Sequence, residues 1–191
     1  MIAWPQNQEI ITSGNVMLRP FNESDVADVF DACQDPLISQ FTPVPYPYER
    51  SVALDIVRAS HFTFLDRVSI NYAIIEVDPT GKKPSSFAGT VGLHSMQQRD
   101  HMTEIGYWME KSHRGRGICT QAVALLSEFA IETMGFRRIE ALADVENIAS
   151  HKVLEGAGFT RDAVVKNRTT RPNGRQIDMA LYSKISKTQG E

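Results

Sequence analysis

The residues best equipped for chemistry lie in one stretch, Ser112-His113-Arg114-Gly115-Arg116-Gly117-Ile118-Cys119-Thr120-Gln121-Ala122. A strand-like run, Thr103 to Met109, precedes it. After it, Ile118, Ala122, Leu125, Leu126, Phe129 and Ala130 recur at spacings of three and four, the pattern of a helix with one apolar face. Strand, basic glycine loop and helix start together present free backbone N–H groups at the positive end of a helix, which is an anion site. Gly115 and Gly117 carry no Cβ, so phosphates can approach the backbone closely, and Arg114 and Arg116 add charge. The spacing is not that of Walker A, which ends in Gly-Lys-Ser/Thr. The dinucleotide fingerprint would require a third glycine at Thr120.

Other chemistries find less support. The five histidines, His61, His94, His101, His113 and His151, have no zinc-ligand spacing, so no metal site is expected. Cys33 and Cys119 make neither a CxxC pair nor a disulfide framework, which suits a reducing cytoplasm. A net charge of −3 argues against a generic nucleic-acid binder. No signal sequence or membrane-spanning run is expected. With 42% hydrophobic and 23% charged residues over 191 positions, the chain reads as one soluble domain.

The elements that must position the loop follow from turn and breaker signals. Residues 1–14 read as a lead-in. Val16 to Arg19 is a short strand. Glu23-Ser24-Asp25 caps a helix that stops at Asp35-Pro36. Phe41 to Tyr48 holds three prolines and reads as a stiff aromatic loop, either a connector or one wall of a binding cleft. Glu49 to about Asp66 is a helix with Val52, Ile56, Ala59 and Thr63 on its buried stripe. Three meander strands follow, at Ser69–Val77, Phe87–His94 and Thr103–Met109, with a hairpin loop at 78–86. After the central helix come a strand at Arg138–Val145, a short helix from Asn147 to Ala157, and a closing hairpin, Phe159–Arg168 and Arg175–Ser183, turning at Asn173-Gly174. The two strands around the central helix read as parallel.

Four pieces in this order carry a resemblance to a known family. Arg114, Gly117 and Cys119 resemble the Arg/Gln-x-x-Gly-x-Gly/Ala acyl-CoA loop of the GNAT N-acetyltransferases, with Cys in place of Gly or Ala. Glu104-Ile105-Gly106-Tyr107-Trp108-Met109, Asn147 to Phe159, and Asn173 to Ser183 resemble its RimJ/RimL branch, the ribosomal-protein alanine/serine N-acetyltransferases. The resemblance spans about residues 15–185, taken as a single domain, with 186–191 a tail. It implies an α/β (α+β) fold: a central, mostly antiparallel sheet of about seven strands, one parallel splayed pair, and flanking helices.

The implied reaction is attack of a primary amine on acetyl-CoA, most simply by a protein N-terminus, with no metal. By the resemblance, the backbone from Arg114, Gly115 and Arg116 through Gly117, Ile118, Cys119 and Thr120 takes the pyrophosphate. Tyr107, Trp108 and Met109 offer a strand edge to the pantetheine arm, and Asn147 contacts CoA. About one free α-amino group in ten is neutral at pH 7, against roughly one lysine in 2,500, so an N-terminal acceptor needs only weak base help. Glu104 is the candidate base, with Glu140 and Asp144 weaker ones. Many relatives place a tyrosine seven residues after the motif asparagine, to protonate the leaving thiolate. Leu154 stands there instead, and the resemblance moves the role to Ser150, with Tyr182 a further candidate. The alternatives are a non-catalytic acyl-CoA-binding regulatory module and a transferase for a small amine such as a polyamine or antibiotic. The expected location is cytoplasmic, as monomer or homodimer.

Overall fold

A computed structural model describes residues 2–78, 80–82, 84–171 and 174–187. The strands are β1 (Ile11–Ser13), β2 (Val16–Pro20), β3 (Ile70–Glu76), β4 (Ser86–Gln97), β5 (Met102–Met109), β6 (Arg138–Asp144), β7 (Thr160–Thr170) and β8 (Gln176–Ile185). The helices are α1 (Asp25–Ala32), α2 (Pro36–Phe41), α3 (Arg50–Leu65), α4 (Ile118–Glu132) and α5 (Ile148–Gly156). All eight strands form one sheet in the order β1-β2-β3-β4-β5-β6-β8-β7. Every pairing is antiparallel except β5 with β6, as expected for two strands joined through α4.

The parallel pairing is short. Its register runs Met102↔Arg138, Thr103↔Ile139, Glu104↔Glu140 and ends there. Beyond it, β5 remains paired with β4 as far as Gly89↔Met109, and β6 with β8 as far as Asp144↔Met179. The two strands therefore diverge, and residues 105–109 of β5 have an edge with no strand partner among the described residues.

Each face of the sheet carries its own core. One packs under α4 and α5 and includes Leu93, Ile105, Ile118, Leu126, Ile139 and Leu154. The other packs under α1 and α3 and includes Val29, Ala53, Val57, Ala73 and Ile75. Side chains alternate across a strand, so Tyr107 packs with the first core and Trp108 with the second.

Four local expectations differ from the structure. Residues 2–13 are not loose: Ala3 N–H donates to the Met134 carbonyl at 2.8 Å, Trp4 lies 5.5 Å from the Phe64 ring, and β1 pairs with β2 across Gly14-Asn15. At α1, Ser24 makes no side-chain cap; Asp25 is buried and pairs with Arg19 at 2.7 Å instead. Asp35-Pro36 does more than end α1. The Asp35 carboxylate accepts from Leu37 N–H at 3.0 Å and starts α2, with Pro at the first turn, where its missing N–H costs nothing. The buried stripe of α3 is Ala53, Val57, Ser60 and Phe64, one residue on from the expected one: Ala53 and Val57 pack with α1, Phe64 packs with Trp4, and Ile56 is left exposed. The turn at Asn173 lies outside the described residues; the strands on either side pair as expected.

Gly89 opposes the end of β5. Its φ is +151°, and an added Cβ would lie 2.3 Å from the Trp108 carbonyl. Gly115 also has positive φ, +72°, but a Cβ there meets nothing within 4 Å. Gly89→Ala should therefore lower unfolding free energy by about 2 kcal/mol or more, and Gly115→Ala by only about 1 kcal/mol. Urea unfolding of both variants tests this; equal losses would remove the close approach as the reason for Gly89.

Candidate functional site

After β5 the chain makes a 3-10 turn, Lys111–His113. The Glu110 carboxylate accepts from Ser112 N–H at 2.8 Å and contacts His113 Nδ1 at 2.7 Å. His113 is nearly buried, and its Nε2 lies 3.0 Å from Ser86 Oγ. This fixes the start of the loop against β4. Gly115 and Gly117 both have positive φ, and an added Cβ at either would sit in open space. Gly117 caps α4 with no side-chain bond to the helix. Backbone N–H groups from Gly115 to Thr120 donate to no described residue; the next, Gln121, reaches the Gly117 carbonyl at 3.0 Å. The unpaired donors and the helix dipole make an anion cradle.

The loop arginines differ from expectation. Arg114 Nε and Nη2 donate to the Met109 carbonyl at 3.0 and 2.8 Å, and Nη1 donates to Asp35 at 2.6 Å. Three of its N–H donors thus tie the end of β5 to the start of α2, leaving two of the five a guanidinium carries. Arg116 pairs with Glu76 at 2.5 Å and is half exposed. Charge toward an anion here is therefore partly compensated, and the backbone is the more direct donor. Neither Asp35 nor Glu76 could be linked to the loop from sequence spacing. Ile118 is buried in the core. Thr120 turns toward α5, where an added Cβ on Gly156 would meet its Cγ2 at 2.9 Å.

Asn147 caps α5 by accepting from Ser150 N–H at 3.1 Å. Ser150 Oγ lies 2.8 Å from the Tyr107 hydroxyl, so β5 and α5 touch across the divergence. Trp108 packs against Phe87 on the other face, and Met109 is buried. Glu104 belongs to the last registered pair, at the vertex, on the Trp108 face by alternation. Its Oε2 is 3.7 Å from His94 Nε2, and its side chain is 29% exposed, within reach of water. An added Cβ on Gly106, the next residue on this face, would meet the His94 ring at 2.9 Å. A cavity of about 60 Å³ on this side is bordered by Phe21, Val44, Tyr48, Asn71, Thr90 and Trp108. The proline loop thus contributes one of its walls. A larger depression between α1 and α3 shares no lining residue with the strand divergence.

The remaining candidates are engaged elsewhere. Glu140 pairs with Arg138 at 2.7 Å, and Asp144 is buried against Arg171. The Tyr182 hydroxyl meets His151 Nδ1 at 3.1 Å and Glu155 at 3.3 Å, on α5 but away from Ser150. The charge of the basic hairpin is partly compensated: Arg175 pairs with Glu146 at 2.6 Å and Lys166 with Asp178 at 2.8 Å, while Arg161 and Arg168 are exposed. Arg171 also lies over the Phe41 ring at 5.7 Å. Burial pushes Cys33 up to about 11 and Cys119 up to about 12, which disfavours the thiolate that a cysteine nucleophile needs. Among the described residues there is no cluster of three metal-ligating side chains and no helix long and apolar enough to cross a membrane.

Burial alone would raise the Asp35 carboxyl, but the Leu37 N–H and the Arg114 guanidinium outweigh it and hold it below its ordinary value. A depressed carboxylate contributes stability fully above its unfolded pKa and loses it as pH falls through the folded one. Wild type should therefore exceed Asp35→Asn in melting temperature above pH about 5, and the gap should shrink below about 4. Differential scanning calorimetry across this range checks it; a gap constant down to pH 2 would exclude the ionised tie. Both thiols should also stay unreactive to a disulfide reagent at pH 8 in the folded protein.

Comparison with known proteins agrees with this geometry. An acetyltransferase (GNAT) domain model matches residues 15–160. The Bacillus licheniformis protein called uncharacterized N-acetyltransferase p20 is 24% identical over 94% of this chain and 97% of its own length. The ribosomal-protein-serine acetyltransferase of Escherichia coli (strain K12) is 28% identical over 56% of this chain and 59% of its own. A solved structure of RimL, a ribosomal L7/L12 alpha-N-protein acetyltransferase in complex with coenzyme A, superposes with a TM-score of 0.81 at 24% identity, covering 95% of this chain and all of that one. The diverging parallel strands, the open glycine cradle and the domain match agree: the chain belongs to the GNAT acetyltransferase family and is an N-acetyltransferase.

Proposed function

We propose that this enzyme transfers the acetyl group of acetyl-CoA to the free α-amino group of a protein N-terminus. The observation that carries the reading is the end of β5–β6 pairing at Glu104↔Glu140. It opens an unpaired strand edge with a carboxylate at its vertex on one face and the Ser150–Tyr107 hydroxyl pair on the other. An amine can then approach from the Glu104 face while the thiol departs toward Ser150, which is the geometry a direct displacement requires.

The residues fit the donor. N–H groups from Gly115 to Thr120 would hold the pyrophosphate, and the edge at Tyr107, Trp108 and Met109, whose last carbonyl is taken by Arg114, would pair with the pantetheine arm. An N–H of that edge would also hold the thioester carbonyl oxygen as charge develops on it. Asn147 keeps α5 in place by capping it. Acetyl-CoA supplies an activated acyl carbon; the chain supplies alignment, a proton acceptor and a hydrogen bond to the sulfur.

The α-amino acceptor is supported by the names of the E. coli and RimL relatives and by the character of Glu104. A partly exposed carboxylate can pass a proton on to solvent, which suffices for an amine already about one-tenth neutral at pH 7. Lys166, Arg171 and Arg175 of the last hairpin pair with neighbouring carboxylates, which weakens the case for a strongly anionic acceptor.

Free-thiol release from acetyl-CoA should appear with Ala- and Ser-initiated peptides and be much weaker with polyamines and aminoglycosides. CoA should bind with or without peptide in calorimetry. Glu104→Gln and Ser150→Ala should each lower kcat roughly 10²-fold while leaving CoA affinity within about threefold. Binding without release from any amine would mean a regulatory module, and release only with small amines would reassign the acceptor.

A further inference from the structure

The Tyr107 side chain has no part in the backbone pairing expected of β5, yet it crosses the divergence to meet α5. Its hydroxyl is 2.8 Å from Ser150 Oγ and 3.4 Å from the Ser150 carbonyl. The carbonyl already accepts within α5 and offers only its second lone pair, at the longer distance, so the shorter contact is the favoured one. Ser150 N–H is held by Asn147 Oδ1 at 3.1 Å. Each flank of Ser150 is thus fixed, and only its hydroxyl proton has a choice of direction.

Two hydroxyls in contact share one hydrogen bond in one of two senses. If Ser150 donates to Tyr107, the serine proton is consumed inside the protein. If Tyr107 donates to Ser150 Oγ, the serine proton is released to point into the divergence. Burial raises the Tyr107 phenol well above its ordinary value, so it remains a donor throughout the working pH range. No other hydroxyl lies on α5, position 154 is a fully buried leucine, and His151 is turned to the Val145 carbonyl and Tyr182.

We propose that Tyr107 is a positioning residue: it donates to Ser150 Oγ and thereby aims the serine proton at the departing thiolate. The inference rests on the acetyl-transfer reading above. As the acetyl C–S bond breaks, its electron pair goes to sulfur while the new C–N bond forms, and the amine proton leaves by Glu104 and water. Ser150 gives the sulfur a hydrogen bond, Tyr107 gives one to Ser150, and neither hydroxyl loses its proton; the thiolate is protonated from solvent. Linked hydroxyls polarise one another, so the pair is a stronger donor than serine alone.

The test is a double-mutant cycle on the full-length protein, reading kcat, peptide KM and CoA Kd for wild type, Tyr107→Phe, Ser150→Ala and the double variant. Tyr107→Phe is expected to lower kcat about tenfold, with peptide KM and CoA Kd within twofold. In the Ser150→Ala background the same change should cost less than twofold. Losses that multiply, or a weakened CoA Kd with kcat unchanged, would make Tyr107 merely structural. Should Tyr107→Phe not fold, site-specific difluorotyrosine at 107 keeps the ring and lowers its pKa. It should show a fall in kcat at alkaline pH that wild type lacks, and coincident profiles would overturn the proposal. Wild type that binds CoA but releases no thiol with any amine would overturn the transfer reading itself; an active wild type with multiplying losses would overturn this inference alone.

Discussion

The constraint on which everything else depends is that the parallel ladder stops after three residue pairs. Backbone N–H and C=O groups left in a protein interior need partners, so two strands that part company must be supported from elsewhere. Here β4 holds one edge of β5 and β8 holds one edge of β6, each to the last residue. The inner edges are then free to receive something extended. A ladder that continued to Met109 would satisfy the same groups internally and leave no place for a ligand chain.

The support is asymmetric. On the α4–α5 side the divergence is lined by Tyr107, Ser150 and the partly buried Cys119, with the core directly behind. On the α1–α3 side it is lined by Glu104, His94 and Trp108, with more access to water. One face suits a group that needs shielding and precise hydrogen bonds, the other a group that must exchange protons. The same alternation of strand side chains that builds two cores also separates two chemical environments.

The order of elements and the glycine loop were legible because their signals are local: periodicity for α4, turn residues for the hairpins, and glycines flanking a helix start. The strand β1 was also signalled, by Ile10-Ile11-Thr12-Ser13 before Gly14-Asn15, a hairpin pattern that a reading of the chain start as unstructured passes over. For α2, Asp-Pro marks a stop and a start equally well. What could not be read was long-range partnership. Arg114 has the right type and place for a phosphate, but Asp35 lies 79 residues away. The α3 stripe is displaced by one position, and the partners of the buried one, α1 and Trp4, come from separate segments. Tyr107 was expected for its backbone, whereas its hydroxyl depends on where α5 comes to rest.

The two arginine contacts to α2 have a mechanical meaning when taken together. Arg114 fastens the end of β5 to Asp35 at one end of the helix. Arg171, held by Asp144 at the end of β6, lies over Phe41 at the other. The six residues of α2 span about 9 Å at the α-helical rise. This short helix is therefore a brace that touches the far ends of both diverging strands. A change of one turn there would shift one contact relative to the other without touching any group that does chemistry.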